Sequence, residues 1–210
     1  MAPLQQPGNI KWYDSLESTN STLREGASAL DNLSVVAARS QSAGRGQGSH
    51  SWFSSPGKNL TCSILYRYGE LGGLAVSENI LITCVTTLGL LDYLRSRGVE
   101  ARIKWPNDIW VGGRKICGIL IENVLDSKEV RYSVVGVGLN LNETLWPADI
   151  PNPVSLTDLT GLAYEPEREL PALLETIRRR QGLLATSDGR KSLQEEFGKY
   201  VFRLREEPLP

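Results

Sequence analysis

Short apolar runs alternate with polar stretches along most of the chain and predict a series of β-strands. The run at 33–38 is rich in Val and Ala and predicts a buried strand. Gly112-Gly113 separates two such runs and predicts a tight β-hairpin, and the polar segment 126–128 predicts a turn before the next strand. The predicted strands cover residues 10–16, 33–38, 60–68, 101–104, 109–111, 116–121 and 131–137.

Helical periodicity is clearest at residues 76–97, where apolar residues recur on one face and Gly98 follows as a C-terminal signal. The apolar face of this predicted helix consists of Leu81, Cys84, Val85, Leu88 and Leu91. A further helix begins near Ser18–Thr22, where Thr22 and Glu25 have capping-box spacing, and two more are expected at 167–181 and 190–200. Hairpins with inserted helices predict an α+β fold, a mixed, largely antiparallel sheet with helices packed on it.

Composition and charge narrow the classes of function. The 210 residues suffice for one domain, and 23 basic against 24 acidic side chains argue against a general nucleic-acid binder. The three cysteines are dispersed, so they favour a reducing compartment and disfavour a zinc ribbon. The N-terminus lacks the build of a signal peptide, and no apolar run is long enough to cross a membrane, so we expect a cytoplasmic location.

Residues 41–58 form a long Gly- and Ser-rich segment that we expect to be a flexible loop. Its glycines allow close approach of a ligand, Arg45 offers a cation for phosphate or carboxylate, and Trp52 offers an aromatic surface. A plain surface loop explains the same composition equally well, because a lone Gly-rich stretch is a weak signal. His50 is the single histidine, and it is expected to make a polar contact or to face solvent rather than act as a general base.

Three strand-associated segments carry further candidate chemistry. Trp105-Pro106 predicts an extended backbone that brings Lys104, Asn107 and Asp108 together, although a turn with a salt bridge would explain it too. Strand alternation predicts that Lys115 shares a face with Cys117 and Ile119, while Gly118 lies on the opposite face and marks the close approach of a ligand or of another backbone.

Gly136 and Gly138 leave one face of the strand at 131–137 and its continuation without side chains. This predicts a slot on that face. The spacing does not fit a dinucleotide-binding fingerprint, since no helix follows. A bulge at a sheet edge is the alternative explanation.

Taken in order, these segments resemble the catalytic domain of biotin protein ligases. Five short segments match the family pattern between residues 18 and 142, and each is weak alone but specific in this order. They are Ser18-Thr19-Asn20 for STN, Gln41–Trp52 for the GRGRxGRxW loop, Lys104–Asp108 for KWPND, Lys115–Leu120 for KxxGIL and Gly136–Asn140 for GxGxN.

The resemblance implies a fold like that of class II aminoacyl-tRNA synthetases and a two-step reaction. Biotin and MgATP form biotinoyl-5′-AMP, and a lysine of a biotin carboxyl carrier protein then takes the biotinoyl group. The implied catalytic residues are Lys115, Arg45, Lys104 and Asp108. The implied biotin contacts are Ser18, Thr19, Asn20, Gln41, Arg45, Gly46, Gln47, Lys115 and Gly118. The implied ATP contacts are Gly44, Arg45, His50, Trp52, Lys104, Asn107, Lys115 and Asn140, with Mg²⁺ expected alongside the nucleotide.

The chain departs from the family pattern in its loop. Gln47 and His50 stand where the family carries arginines, which predicts that the adenylate is retained more loosely or by other groups. The resemblance assigns residues 1–200 to the catalytic domain and 201–210 to the start or remnant of a small C-terminal domain. The segment before residue 18 is too short for the DNA-binding domain of some members, so no nucleic-acid partner is expected, and a homodimer is the family's common assembly.

Two other functions remain open at this point. One is a lipoate or octanoate ligase or transferase of the same fold, which a comparison of biotin and lipoate binding would distinguish. The other is a biotin-binding module weakened by Gln47 and His50, which would bind biotin without releasing pyrophosphate.

Overall fold

The computed structural model describes residues 9–48 and 50–202, and a single eight-stranded sheet organises them. The strands lie in the order β1-β2-β3-β7-β6-β5-β4-β8. Their bounds are β1 Ile10–Tyr13, β2 Val35–Ala38, β3 Leu60–Arg67, β4 Arg102–Lys104, β5 Asp108–Val111, β6 Arg114–Asp126, β7 Glu129–Leu139 and β8 Val201–Phe202.

The two outermost pairs of the described strands, β1–β2 and β4–β8, are parallel. The five pairs between them are antiparallel: β2–β3, β3–β7, β7–β6, β6–β5 and β5–β4. Gly112 and Gly113 both have positive φ, +55° and +81°, as the predicted two-residue hairpin turn requires. Ser127 is left-handed as well, with φ of +54°, at the predicted β6–β7 turn. The prediction of a mixed, largely antiparallel sheet is therefore confirmed.

Five α-helices accompany the sheet in the described part of the chain. They are α1 Thr19–Gly26, α2 Ile80–Ser96, α3 Leu156–Thr160, α4 Pro166–Gly182 and α5 Ser187–Tyr200. The apolar face predicted for the 76–97 segment is buried in the main core, which lies between the sheet and helices α2, α4 and α5. Helix α1 lies over a smaller, separate cluster formed by Leu23, Ala27, Val36, Leu65 and Val134.

Alternation along the strands gives the sheet two different faces. On β7, Val135, Val137 and Leu139 join the main core, whereas Gly136 and Gly138 point away from it. The same period on β3 sends Cys62 and Ile64 into the main core and Ser63 to the other face. One face is consequently apolar and covered by helices, and the other is polar and glycine-rich, with α1 over part of it.

A bulge in β6 overturns the predicted placement of Lys115. The β5–β6 register shifts between Ile109, which pairs with Cys117, and Trp110, which pairs with Lys115. Ile116 is left unpaired by this shift and is buried in the main core beside Cys117, so the alternation is interrupted. Lys115 therefore lies on the same face as Gly118, not on the face of Cys117 and Ile119 as the uninterrupted period predicted.

Other local expectations were wrong in detail. Helix α1 begins at Thr19 after Ser18, so Thr22 is an interior residue and not the cap. Residues 105–107 form a turn between β4 and β5, and the Trp105–Pro106 peptide bond is cis, where an extended backbone was predicted. Helix α3 and strand β8 were not predicted, because five and two residues are too short for a periodic pattern.

The predicted domain boundary near residue 200 stays a prediction. Val201 and Phe202 add strand β8 beside β4, and most of the 201–210 segment lies outside the described residues. None of the helices within residues 9–202 that the structure describes has the length and apolar character needed to cross a membrane.

Candidate functional site

A cavity of about 910 Å³ opens on the polar, glycine-rich face of the sheet. Its walls are the start of α1, the loop after β2, the ends of the central strands and the loop at 146–153. All the predicted site residues except Gly44 line it: Ser18, Thr19, Asn20, Gln41, Arg45, Gly46, Gln47, His50, Trp52, Lys104, Asn107, Asp108, Lys115, Gly118 and Asn140. Segments that are distant in the sequence thus meet at one place.

The glycines of β6 and β7 form the floor of this cavity. Gly118 and Gly138 are directly paired across the two strands. The indole of Trp52 lies on both, since a Cβ on Gly118 would be 2.9 Å from its ring and a Cβ on Gly138 would collide with it. A Cβ on Gly136 would collide with the amide of Asn20. The predicted slot exists, but side chains of this chain fill it.

The loop that carries Trp52 folds back on itself as a short hairpin. Arg45 and Ser51 form an isolated antiparallel bridge, and Trp52 N donates to Gly44 O at 2.9 Å. Gly44 lies against this backbone, because a Cβ there would be 2.5 Å from the carbonyl oxygen of Trp52. Gly44 therefore permits the hairpin. It does not line the cavity, although the sequence predicted it as an ATP contact. Mobility of the loop without ligand stays a prediction.

Hydrogen bonds fix the start of α1 against the cavity wall. The N–H of Thr19 donates to Gln41 Oε1 at 2.8 Å, which satisfies one of the free donors of the helix N-terminus. The Ser63 hydroxyl lies 2.8 Å from Thr19 Oγ1 and 2.5 Å from Asn20 Oδ1. Ser18, Thr19 and Asn20 are all buried, so this wall is polar and preorganised.

Three cations reach the cavity, and each has a partner. Lys115 Nζ pairs with Asp108 Oδ1 at 2.8 Å, in a site where the lysine side chain is 32% exposed. Lys104 Nζ lies over the ring of Trp110, 4.4 Å from its centroid. Arg45 pairs with Glu122, its Nη2 being 3.0 Å from Glu122 Oε2. Of these contacts, the Lys115–Asp108 pair is the one that can open to let a cation meet a bound anion.

The two predicted nucleotide-binding asparagines also hold the backbone around the site. Asn107 Nδ2 donates to the carbonyl of Ile119 at 2.5 Å and fastens the β4–β5 turn to β6. Asn140 Nδ2 donates to the carbonyls of Lys115 at 3.3 Å and Val154 at 3.0 Å. In contrast, Asn140 Oδ1 is buried and accepts no hydrogen bond from the described part of the chain.

Two indole N–H groups are also buried without a hydrogen-bond partner among the described residues. They are the Nε1 groups of Trp52 and Trp110. Together with Asn140 Oδ1 they complete the set of buried side-chain polar atoms left unpaired in the described structure, and all three residues line the cavity. Since such atoms are costly unless satisfied, they indicate a place where a ligand supplies the missing partners.

Sequence reasoning missed several contributors. Glu122 was not singled out, although it follows the predicted strand at 116–121 directly and holds Arg45. The loop at 146–153 was predicted without a role, and it forms one wall of the cavity. Its end is tied to the site, since Lys115 N donates to Asn152 O at 2.7 Å. Three prolines in that loop were the available signal.

The buried thiols near the site are not suited to nucleophilic chemistry. Burial raises the pKa of Cys62, which lines the cavity, to about 12. Burial also raises the pKa of Cys117 well above its ordinary value, and the nearby Lys115 offsets only part of this. Both groups are therefore neutral near pH 7 and act as small apolar side chains.

Comparison with known proteins identifies what this arrangement is similar to. Residues 12–140 match the model of the Biotin/lipoate A/B protein ligase family. The biotin–[acetyl-CoA-carboxylase] ligase of Paracoccus denitrificans is 35% identical over 178 residues, 81% of this chain and 72% of that protein. The bifunctional ligase/repressor BirA of Salmonella typhimurium is 32% identical over 135 residues.

That second match covers 64% of this chain and 41% of the longer BirA protein. Among solved structures, the biotin protein ligase of Aquifex aeolicus in complex with biotin and ATP superposes with a TM-score of 0.73 at 25% identity. The superposition covers 91% of this chain and 76% of that chain.

Proposed function

Because the chain belongs to the biotin/lipoate A/B protein ligase family, we propose that it attaches biotin to a lysine of a biotin carboxyl carrier protein, with ATP as the energy source. The observation that carries the proposal is the convergence of Arg45, Lys104 and Lys115 on one glycine-floored cavity. An anion that attacks a polyanion needs such cations, because they interact most strongly with the charge of the transition state.

In the first step, a carboxylate oxygen of biotin attacks the α-phosphorus of ATP. The new bond gives biotinoyl-5′-AMP, and the bond to the β-phosphate breaks to release pyrophosphate. Lys115 is the principal cation for this step, since it lies near the start of β6 beside the glycine floor and is partly buried. Arg45 and Lys104, which line the same cavity, reinforce it.

We assign different parts of the cavity lining to the two substrates. The buried polar wall made by Ser18, Thr19 and Asn20, with Gln41 beside it, suits the ureido head group of biotin, which both donates and accepts hydrogen bonds. Asn107 and Asn140 suit the nucleotide, because the free Oδ1 of Asn140 can accept from an amino group. The remaining biotin contacts are Arg45, Gly46, Gln47, Lys115 and Gly118, and the remaining nucleotide contacts are Arg45, His50, Trp52, Lys104 and Lys115.

Magnesium enters as part of the substrate MgATP. Among the residues that the structure describes, no group of three His, Cys, Asp or Glu side chains could hold a metal ion by itself. The donor set therefore fits a cation that the phosphates hold, with Asp108 and Asp149 as the carboxylates that line the cavity.

In the second step, the ε-amine of the acceptor lysine attacks the acyl carbonyl of biotinoyl-5′-AMP. The amide bond forms as AMP leaves with the electrons of the acyl–phosphate bond, and the amine loses a proton. Asp108 is placed to orient the incoming amine once its present partner, Lys115, binds phosphate. A closed loop over the adenylate excludes water, which would otherwise hydrolyse it.

The decisive experiment incubates the chain with biotin, MgATP and a biotin carboxyl carrier domain, followed by intact mass spectrometry. We expect one biotinoyl addition to the carrier, and none to a carrier whose acceptor lysine is replaced by arginine. Transfer of lipoate or octanoate in place of biotin would favour the related acyl ligase. Tight biotin binding without pyrophosphate or product would favour a binding module.

Assembly and location rest on the sequence. The matched region spans about two fifths of the length of the first curated relatives, 41% for the Salmonella protein. A homodimer stays a prediction, which the mass from light scattering tests. A cytoplasmic location stays a prediction too, as does the absence of a nucleic-acid partner.

A further inference from the structure

Glu122 is a charged residue beside the site that the proposed reaction does not use. It lies on β6 two positions after Leu120, and thus on the face of Gly118, with 22% of its side chain exposed. Its Oε2 accepts from Asn20 Nδ2 at 2.7 Å and from Arg45 Nη2 at 3.0 Å. Its Oε1 accepts from Arg45 Nη1 at 3.3 Å. One carboxylate thus joins helix α1 to the loop arginine.

The first effect of Glu122 concerns the amide of Asn20. An ionised carboxylate only accepts hydrogen bonds, so it selects the orientation in which the amide nitrogen of Asn20 faces β6. The amide oxygen then faces the Ser63 hydroxyl, 2.5 Å away. Because Glu122 and Ser63 hold the two ends of this amide, its donor and its acceptor cannot exchange places at the cavity wall.

The second effect concerns Arg45 and the loop. The fork of its guanidinium meets both oxygens of Glu122, a geometry that fixes direction as well as distance. Arg45 also forms the backbone bridge with Ser51 at the root of the hairpin that carries Trp52. The ion pair therefore holds this hairpin against β6. Arg24 lies farther from the carboxylate, at 3.9 Å, and is 57% exposed, so it contributes little.

We propose that Glu122 is a positioning residue for biotin, which acts through Asn20 and Arg45 and does not touch the reacting atoms. The inference rests on the proposed function, since it takes Asn20 and Arg45 as biotin contacts. Preorganisation of both groups lowers the cost of binding biotin. Its influence on the phosphoryl step is smaller, because Arg45 keeps its charge without Glu122 and Lys115 supplies the main charge.

The test compares Glu122→Gln with the wild type. Glutamine keeps the volume but replaces one carboxylate oxygen with an amide nitrogen. Either Asn20 Nδ2 or the Arg45 guanidinium then faces another donor and loses its hydrogen bond. We expect the Kd for biotin, measured calorimetrically without ATP, to rise at least tenfold. The rate of pyrophosphate release at saturating biotin should stay within threefold. Arg24→Ala is the matched control, and its biotin Kd should not change.

A double-mutant cycle with Asn20→Ala separates positioning from general destabilisation. If Glu122 acts through Asn20, the loss in the double variant is smaller than the product of the two single losses. Multiplicative losses, or a biotin Kd in Glu122→Gln within twofold of the wild type, would overturn the inference. Failure of the wild type itself to bind biotin would instead refute the proposed function. Thermal melting of each variant confirms that the fold is retained.

Discussion

Replacement of Lys115 by methionine tests the adenylation chemistry most directly. Methionine keeps an unbranched side chain along the glycine floor, where the Cε of Lys115 lies 3.3 Å from the position of a Cβ on Gly118. The change removes the ammonium that now lies 2.8 Å from Asp108 Oδ1. The floor and the fold are therefore preserved while one charge is lost.

The expected magnitude follows from electrostatics. A cation about 4 Å from a unit charge contributes about 4 kcal/mol at an effective dielectric constant of about 20. Loss of one preorganised group of this kind lowers kcat about 100- to 1,000-fold. Stability should change by only about 1 kcal/mol, because the pair with Asp108 is partly solvated.

The assay follows pyrophosphate release from biotin and MgATP without a carrier, together with urea unfolding of the same samples. Lys128→Met serves as the control, since Lys128 is an exposed lysine at the β6–β7 turn and does not line the cavity. Pyrophosphate release by Lys115→Met at the rate of the wild type would refute the assignment of Lys115, and with it the electrostatic reasoning.

Three further predictions concern packing and reactivity. Gly89→Ala should lower the free energy of unfolding by about 1–3 kcal/mol in urea, because its Cβ would lie 2.8 Å from a side-chain carbon of α4; Gly198→Ala, which meets nothing within 4 Å, should not. Gly138→Ala should displace Trp52 and raise quenching of tryptophan fluorescence by acrylamide, and unchanged quenching would contradict the described floor. Cys62 should resist iodoacetamide at pH 8 in the folded chain and react in urea, because burial raises the pKa of its thiol to about 12; equal rates in both states would contradict this.

The sequence by itself determined the type of each long element and the two faces of β7. The period of two on β7 separates Val135 and Val137 from Gly136 and Gly138, and each choice is local to the strand. The order of the five short segments likewise indicated the family and most of the cavity-lining residues. These features are readable because each depends on residues only a few positions apart.

Only the tertiary structure decided which groups meet. A bulge moved Lys115 to the face of Gly118, and a bulge depends on the register with the neighbouring strand. Glu122 contacts Arg45 and Asn20 across 77 and 102 residues of sequence, so no local pattern indicated the pairing. The glycine floor shows the same limit. The lack of side chains on the floor can be read from the glycines of each strand. Trp52, which covers the floor, belongs to a loop whose position depends on long-range packing.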